Sequence, residues 1–347
     1  TCLLNLGTCT IAPVALPVGP HTVVASFPGS GAILSSTSSP LAVSVSKGTT
    51  TTTLRTSGTP ADHGAPVVFT MSVTSGDGGL VGGEVSLLEG ATSYGKCTLG
   101  GTLPATCTLS VSNLSVGTHL LTASYPGDAN RDGSVSASVS QVIVPSRTTT
   151  SVVATPNPAG YGSPVTLAAT VATSDGTATG TIAFTDNGSP LPTCQLAGSP
   201  ATCSILVSSL AIGTHSIGAS YGGDASHATS TATAVPLTVN RAISTIALSG
   251  TPNPATKGTA VTIRVAITTG DGSNATGSVA ISDGTTPLGS CTLSSSSCSL
   301  PVSTLAVGTR TIVASFPGDP VHLPATASYA QTIAPAVTTT RITSTPN

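Results

Sequence analysis

The sequence predicts an all-β protein built of tandem β-sandwich repeats. Three observations carry that expectation: a string that returns about every 95–98 residues, apolar residues that alternate along short runs, and a composition poor in charge but rich in Thr, Ser, Gly and Pro.

The period sets the domain count. Val18-Gly19-Pro20-His21 returns as Val116-Gly117-Thr118-His119, Ile212-Gly213-Thr214-His215 and Val307-Gly308-Thr309-Arg310. An aromatic turn keeps step with it: Phe27-Pro28-Gly29, Tyr125-Pro126-Gly127-Asp128, Tyr221-Gly222-Gly223-Asp224 and Phe316-Pro317-Gly318-Asp319. The spacings from Phe27 through Tyr125 and Tyr221 to Phe316 are 98, 96 and 95 residues. A solenoid unit takes roughly 20–50 residues and a small sandwich takes about 100, so each period is a whole domain.

Within a period the pattern is that of strands. Val67, Phe69, Met71 and Val73 alternate with Val68, Thr70, Ser72 and Thr74, which gives one apolar face. Val165, Leu167, Ala169, Val171 and Val261, Ile263, Val265, Ile267 repeat it. A second strand points Leu121, Ala123 and Tyr125 inward, with counterparts Ile217, Ala219, Tyr221 and Ile312, Ala314, Phe316. Gly76-Asp77-Gly78-Gly79, Ser174-Asp175-Gly176 and Gly270-Asp271-Gly272 mark turns. Such runs amount to about seven strands per repeat, the number a sandwich needs.

The joints follow from Thr-rich runs beside a basic residue, at Lys47–Thr53, Arg147–Thr150, Arg241–Thr245 and Val337–Arg341. They divide the chain into 1–46, the C-terminal part of a repeat; full repeats at 47–145, 146–240 and 241–336; and 337–347, the first strand of a further repeat ending in Thr345-Pro346-Asn347. Val142-Ile143-Val144 runs almost directly into the next repeat, and so short a joint favours a semi-rigid array. The incomplete ends lead to the expectation of a window on a longer array, with preceding residues completing the first sandwich.

Composition narrows function. Charged residues make up 6% and net charge is −2, so no field exists to recruit nucleic acid or an anionic membrane. Twelve acids and six His, thinly spread, disfavour an enzyme. No apolar run approaches the ~20 residues of a membrane span, and no signal-peptide pattern opens the chain.

The order Gly180-Thr181-Ile182-Ala183-Phe184-Thr185-Asp186, Gly213-Thr214-His215 and Ala219-Ser220-Tyr221-Gly222-Gly223-Asp224 resembles bacterial immunoglobulin-like repeats of the group 3 type. Gly277 to Asp283 with Phe316-Pro317-Gly318-Asp319 matches again, while Gly83 to Glu89 departs, with Leu87 where an aromatic is usual. The resemblance covers essentially the whole chain. It implies Ig-like sandwiches from large exported surface proteins, used as spacers, stalks or adhesive arrays, with no catalytic residues to carry over. A Cys pair in each repeat is a departure, because such repeats often lack it.

The eight Cys fall two to a repeat: Cys2/Cys9, Cys97/Cys107, Cys194/Cys203 and Cys291/Cys298. Each second Cys shares strand parity with core positions (Cys107 with Leu109 and Val111), and each first Cys shares it with Leu99, Leu196 or Leu293. Both thiols of a pair are therefore expected on the same face of one hairpin, close enough to bridge. Zinc sites prefer shorter C-x₂₋₄-C spacing, and no His recurs beside the pairs. Disulfides place the protein outside the cytoplasm.

Other candidates are weaker. Asp128, Asn130 and Asp132 match the start of a calcium loop, but its twelfth position is Val139 and supplies no acid. His119 and His215 are replaced by Arg310 in the fourth repeat, so they read as satisfied or solvent-facing polar residues. Asn113, Asn187 and Asn274 open formal glycosylation sequons. Lys47, Lys96 and Lys257 share no repeat position, which argues against isopeptide bonds. The resulting expectation is a non-catalytic extracellular stalk or filament segment without cofactor, its partners being neighbouring repeats or other copies in a filament. The alternative is an adhesin or carbohydrate-binding array, which calls for an exposed aromatic or acidic cluster that the sequence does not contain.

Overall fold

The computed structural model describes residues 1–12 and 14–344, and among them every regular element is a β-strand. Packing divides the chain into two compact units. The first comprises Thr1–Arg147 with the segments Thr173–Gly176 and Ala225–Ala228; the second comprises Thr148–Ala172, Thr177–Asp224 and the chain from Thr229.

In the first unit the alternating run Val67–Ser75 forms the centre of a three-stranded antiparallel sheet, flanked by Thr50–Thr56 and Ala105–Val111. Its β-branched and aromatic residues suit a pleated, half-buried surface. The facing sheet runs in the order Ala61–Asp62, Val139–Val144, Gly117–Tyr125, Glu84–Glu89, Thr92–Thr98. Ala61–Asp62 pairs parallel with Val139–Val144, so the opening strand begins in one sheet and ends in the other. Val67, Phe69, Met71 and Val73 meet Leu87, Leu121, Ala123 and Tyr125 between the layers, all buried. Each large side chain taken from water there contributes ~1.5–3 kcal/mol.

Residues 1–46 pair Gly19–Val23 with Leu41–Val45 and Ser26–Phe27 with Ser36–Thr37. Ile11 is 61% exposed and Val23 43%. An open groove of about 870 Å³ lies beside them, lined by Cys2, Cys9, Ala25 and Phe27 among others.

The second unit holds two further sandwiches of the same order. One places Val165–Thr173 between Thr148–Thr155 and Ala201–Val207, opposite Ala159–Gly160, Val235–Asn240, Gly213–Tyr221, Thr181–Asp186 and Ser189–Gln195. The next places Val261–Thr269 between Ser244–Thr251 and Ser297–Val302, opposite Ala255–Thr256, Ala325–Ala334, Gly308–Phe316, Ser278–Asp283 and Thr286–Thr292. Tyr221 with Phe184 anchors one core and Phe316 the other. Residues 335–344 carry no strand, and Thr345 to Asn347 of the expected opening strand lie outside the described residues. No helix among the described residues is long and apolar enough to cross a membrane.

Candidate functional site

Each complete repeat offers three constellations: a cysteine pair, a cation–carboxylate latch and a charged pole. The structure joins Cys2 to Cys9, Cys97 to Cys107, Cys194 to Cys203 and Cys291 to Cys298, with Cα–Cα distances of 5.8, 5.8, 5.9 and 5.7 Å. These fall in the range a disulfide requires. The three later bridges do not sit on one hairpin, which corrects the expectation drawn from parity. Cys97 lies on Thr92–Thr98, the edge of the larger sheet, whereas Cys107 lies on Ala105–Val111, the edge of the three-stranded one. The turn between them carries the chain from layer to layer, and both side chains point into the gap. Each bridge therefore staples the two layers together at one edge.

The latch sits near the start of the strand that ends in the aromatic anchor. His119 Nδ1 is 2.9 Å from Glu89 and its Nε2 is 2.8 Å from the Ser115 carbonyl. His215 repeats this with Asp186 and the Ala211 carbonyl, both at 2.8 Å. A nitrogen facing a carbonyl must donate, and one facing a carboxylate donates when protonated, so the geometry favours a proton on both ring nitrogens. Burial works against that charge, yet for His119 the Glu89 carboxylate and the Ser115 carbonyl outweigh it and raise the pKa above 6.5. His215 is shifted the same way, the Ala211 carbonyl and Asp186 outweighing its burial. Arg310 is 2.6 Å from Asp283 in the fourth repeat. A permanent cation thus replaces the protonated imidazole without changing the role. The carboxylate partners escaped the sequence reading. They lie 30, 29 and 27 residues before the cation, each ending its strand, and a superposition of the periods reveals them.

The charged pole contains the calcium candidates. The Asp128 carboxylate accepts from the Asn130 amide at 2.8 Å, from the Tyr125 hydroxyl at 3.2 Å and from the Arg131 guanidinium at 3.5 Å. Arg131 also reaches Asp77 at 3.4 Å. Asn130 and Asp132 join the structure through their backbones, the first accepting from Gly48 N and the second donating to Gly48 O, each at 2.9 Å. A guanidinium beside Asp128 supplies the positive charge that a metal ion would otherwise bring. Among the described residues no group of three or more His, Cys, Asp or Glu side chains is set to hold a metal ion.

The same pole recurs. Ser146 bridges His227 and Ala242 bridges His322, as Gly48 bridges Arg131. Asp224 accepts from Thr179, and Asp319 accepts from Thr276. His322 Nδ1 lies 2.8 Å from Asp319, and its Nε2 lies 3.2 Å from Asp271. Asn113, Asn187 and Asn274 are all exposed.

Family models place the chain. The bacterial Ig-like domain (group 3) model matches residues 53–144, 152–240 and 248–334, which together make up most of the sequence. The chain belongs to that family, with three tandem Ig-like sandwiches. No curated protein matches it. Solved structures similar to the chain include the Escherichia coli adhesin FdeC, at 15% identity over 82% of this chain and 96% of that one, with a TM-score of 0.26. Others are the ICAM-5 D1–D4 ectodomain fragment, at 14% identity over 82% and 77% with a TM-score of 0.38, and the Clostridium thermocellum CbhA fibronectin(III)-like modules, at 17% identity over 54% and 92% with a TM-score of 0.22.

Proposed function

We propose that the chain is a non-catalytic, extracellular structural segment, a stalk or filament part whose work is to hold its repeats folded and in series. One observation carries this. The acids and cations of the latch and the pole are committed to structural pairs at fixed repeat positions, as with His119–Glu89, His215–Asp186, Arg310–Asp283 and Arg131 between Asp77 and Asp128. An acid or base committed to such a pair is not poised for a substrate. Disulfides at layer edges fit an oxidising compartment, since thiols in the cytoplasm stay reduced.

Two measurements on the folded chain test this. Antibody raised against it should label intact, unpermeabilised source cells, and the purified chain should bind no member of a glycan and matrix-protein array. Labelling that requires permeabilisation would overturn the extracellular placement. Saturable binding to a saccharide would replace the stalk with the adhesive alternative.

A further inference from the structure

Apart from Thr173–Gly176 and Ala225–Ala228, nearly all of the third repeat shares one compact unit with the fourth, and there a glycine turn meets a charged cluster. Gly162, at φ +73°, lies against Asp271 so closely that a Cβ on it would come within 2.6 Å of the Asp271 Cβ. Below that contact His322 is completely buried, with side-chain exposure of 0% against 4% for Asp271 and 6% for Asp319. Its Nε2 is also 3.0 Å from the Ser273 hydroxyl. The first unit holds a counterpart. A Cβ on Gly64, at φ +77°, would collide with the Asp175 carboxyl, and His63 Nδ1 stands 2.5 Å from Asp175. In the second repeat the cation is Arg131 and Asp77 is 50% exposed.

Charge decides what His322 must be. As an imidazolium it donates to both carboxylates. As a neutral ring it donates to one and turns a lone pair towards the other, leaving two buried negative charges under the turn. The other groups that bond the two carboxylates do not titrate, and the ionisable residues next along the chain are Arg241 beside Ala242 and Tyr161 beside Gly162. Thr276 gives its N–H and hydroxyl to Asp319, Val321 and His322 give amides to Asp319, and Ser273 gives its hydroxyl and amide to Asp271. Ala242, bridged to His322, and Gly162 of the turn carry no ionisable group.

We propose that this joint is a proton-operated clasp, closed while His322 holds its proton and loosened when the proton leaves, with the Asp271–His322–Asp319 cluster as sensor and the Gly162 turn as the part that lifts. The direction follows from the groups present. Burial opposes charging of His322, but Asp319 and Asp271 outweigh it and put its pKa above 6.5. A raised histidine stabilises fully below 6.5 and ceases to as pH climbs through the folded value. The acids do not interfere. Burial pushes the Asp271 carboxyl up, but bonds from Ser273 and His322 more than offset this and hold it at about 2, and Asp319 lies well below the ordinary carboxylate range. The inference holds whether the repeats act as stalk or as adhesive array.

Hydrogen exchange on the full chain tests it. The Ala242 amide donates to Val321 O and the Leu323 amide to Ala242 O, both at 2.8 Å, so their protection reports the loop that carries His322 on the fourth repeat's side of the joint. After correction for base catalysis, protection should fall between about pH 6 and about pH 9, by about tenfold for each unit the His322 pKa is raised. Amides of Gly213–Tyr221 and Gly308–Phe316 should stay protected, which excludes global unfolding. H322R, which installs the cation found at Arg131, should hold the joint closed at both pH values. G162A should open it at both, whereas G258A, at φ +90° with nothing within 4 Å, should behave as wild type and so control for backbone strain. Unchanged wild-type protection across this range, or an equal loss in H322R, would overturn the clasp.

Discussion

Removing one inter-layer disulfide isolates what the staple contributes. Cys97 and Cys107 are separated by 10 residues and both pack against the core of the second repeat. Replacing both with Ala keeps the site apolar and leaves no thiol to mispair. Opening a closed loop of about ten residues returns ~2.5–3 kcal/mol of chain entropy to the unfolded state. The folded state loses a tie between layers, and at that edge the contact then rests on Leu99, Ala105 and Leu109. Domains of this size shift by ~4–8 °C per kcal/mol, so the transition of the second repeat should fall by roughly ten to twenty degrees. Scanning calorimetry of the full chain should show that fall in one transition while those of the third and fourth repeats hold, their bridges being intact. A shift worth under ~1 kcal/mol would refute the staple. An equal shift of all transitions would refute the independence of the three cores.

Two further outcomes follow from the charged groups. Substituting Glu89 with Gln removes the carboxylate that raises His119, so the imidazole resonance, followed by NMR, should titrate at lower pH than in wild type. In wild type the latch should contribute most between the two ordinary values, 4.5 for Glu89 and 6.5 for His119: Glu89 is lowered in the fold and loses its contribution towards acid, His119 is raised and loses its own towards base. Melting temperatures with EDTA and with added calcium should coincide, because Arg131 already provides the charge beside Asp128; a rise of several degrees with calcium would show that the loop binds it.

Much of the fold was legible because a sandwich writes itself in a period of two. Val67 to Val73 and Leu121 to Tyr125 announced their buried faces, and the recurring aromatic turn fixed the domain length. The same signal hides which layer a strand joins. Cys97 and Cys107 share a face in either geometry, so parity was right about direction and wrong about the hairpin. The charged pairs were harder to read. Glu89 and His119 are 30 residues apart and meet only because Glu84–Glu89 pairs with Gly117–Tyr125. Asp271 and His322, 51 apart, meet only because two turns at one end of a sandwich converge.

Comparing the repeats with one another shows what those positions demand. At the latch the residues are His119, His215 and Arg310; at the pole they are Arg131, His227 and His322. At the latch charge is the property retained, His119 and His215 being raised and Arg310 permanently charged, while residue type varies. If shape alone mattered, a planar ring and a long guanidinium stem would not alternate beside the same carboxylates. The alternation is also not parallel: the second repeat has a titratable latch and a permanent pole, the fourth has the reverse, and in the third both are histidine. Each complete repeat therefore keeps at least one cation that can lose its charge as pH rises. In a chain with so few charges, the loss of positive charge as pH rises falls on a few side chains, among them His119, His215 and His322, each facing a carboxylate at a fixed place in its repeat.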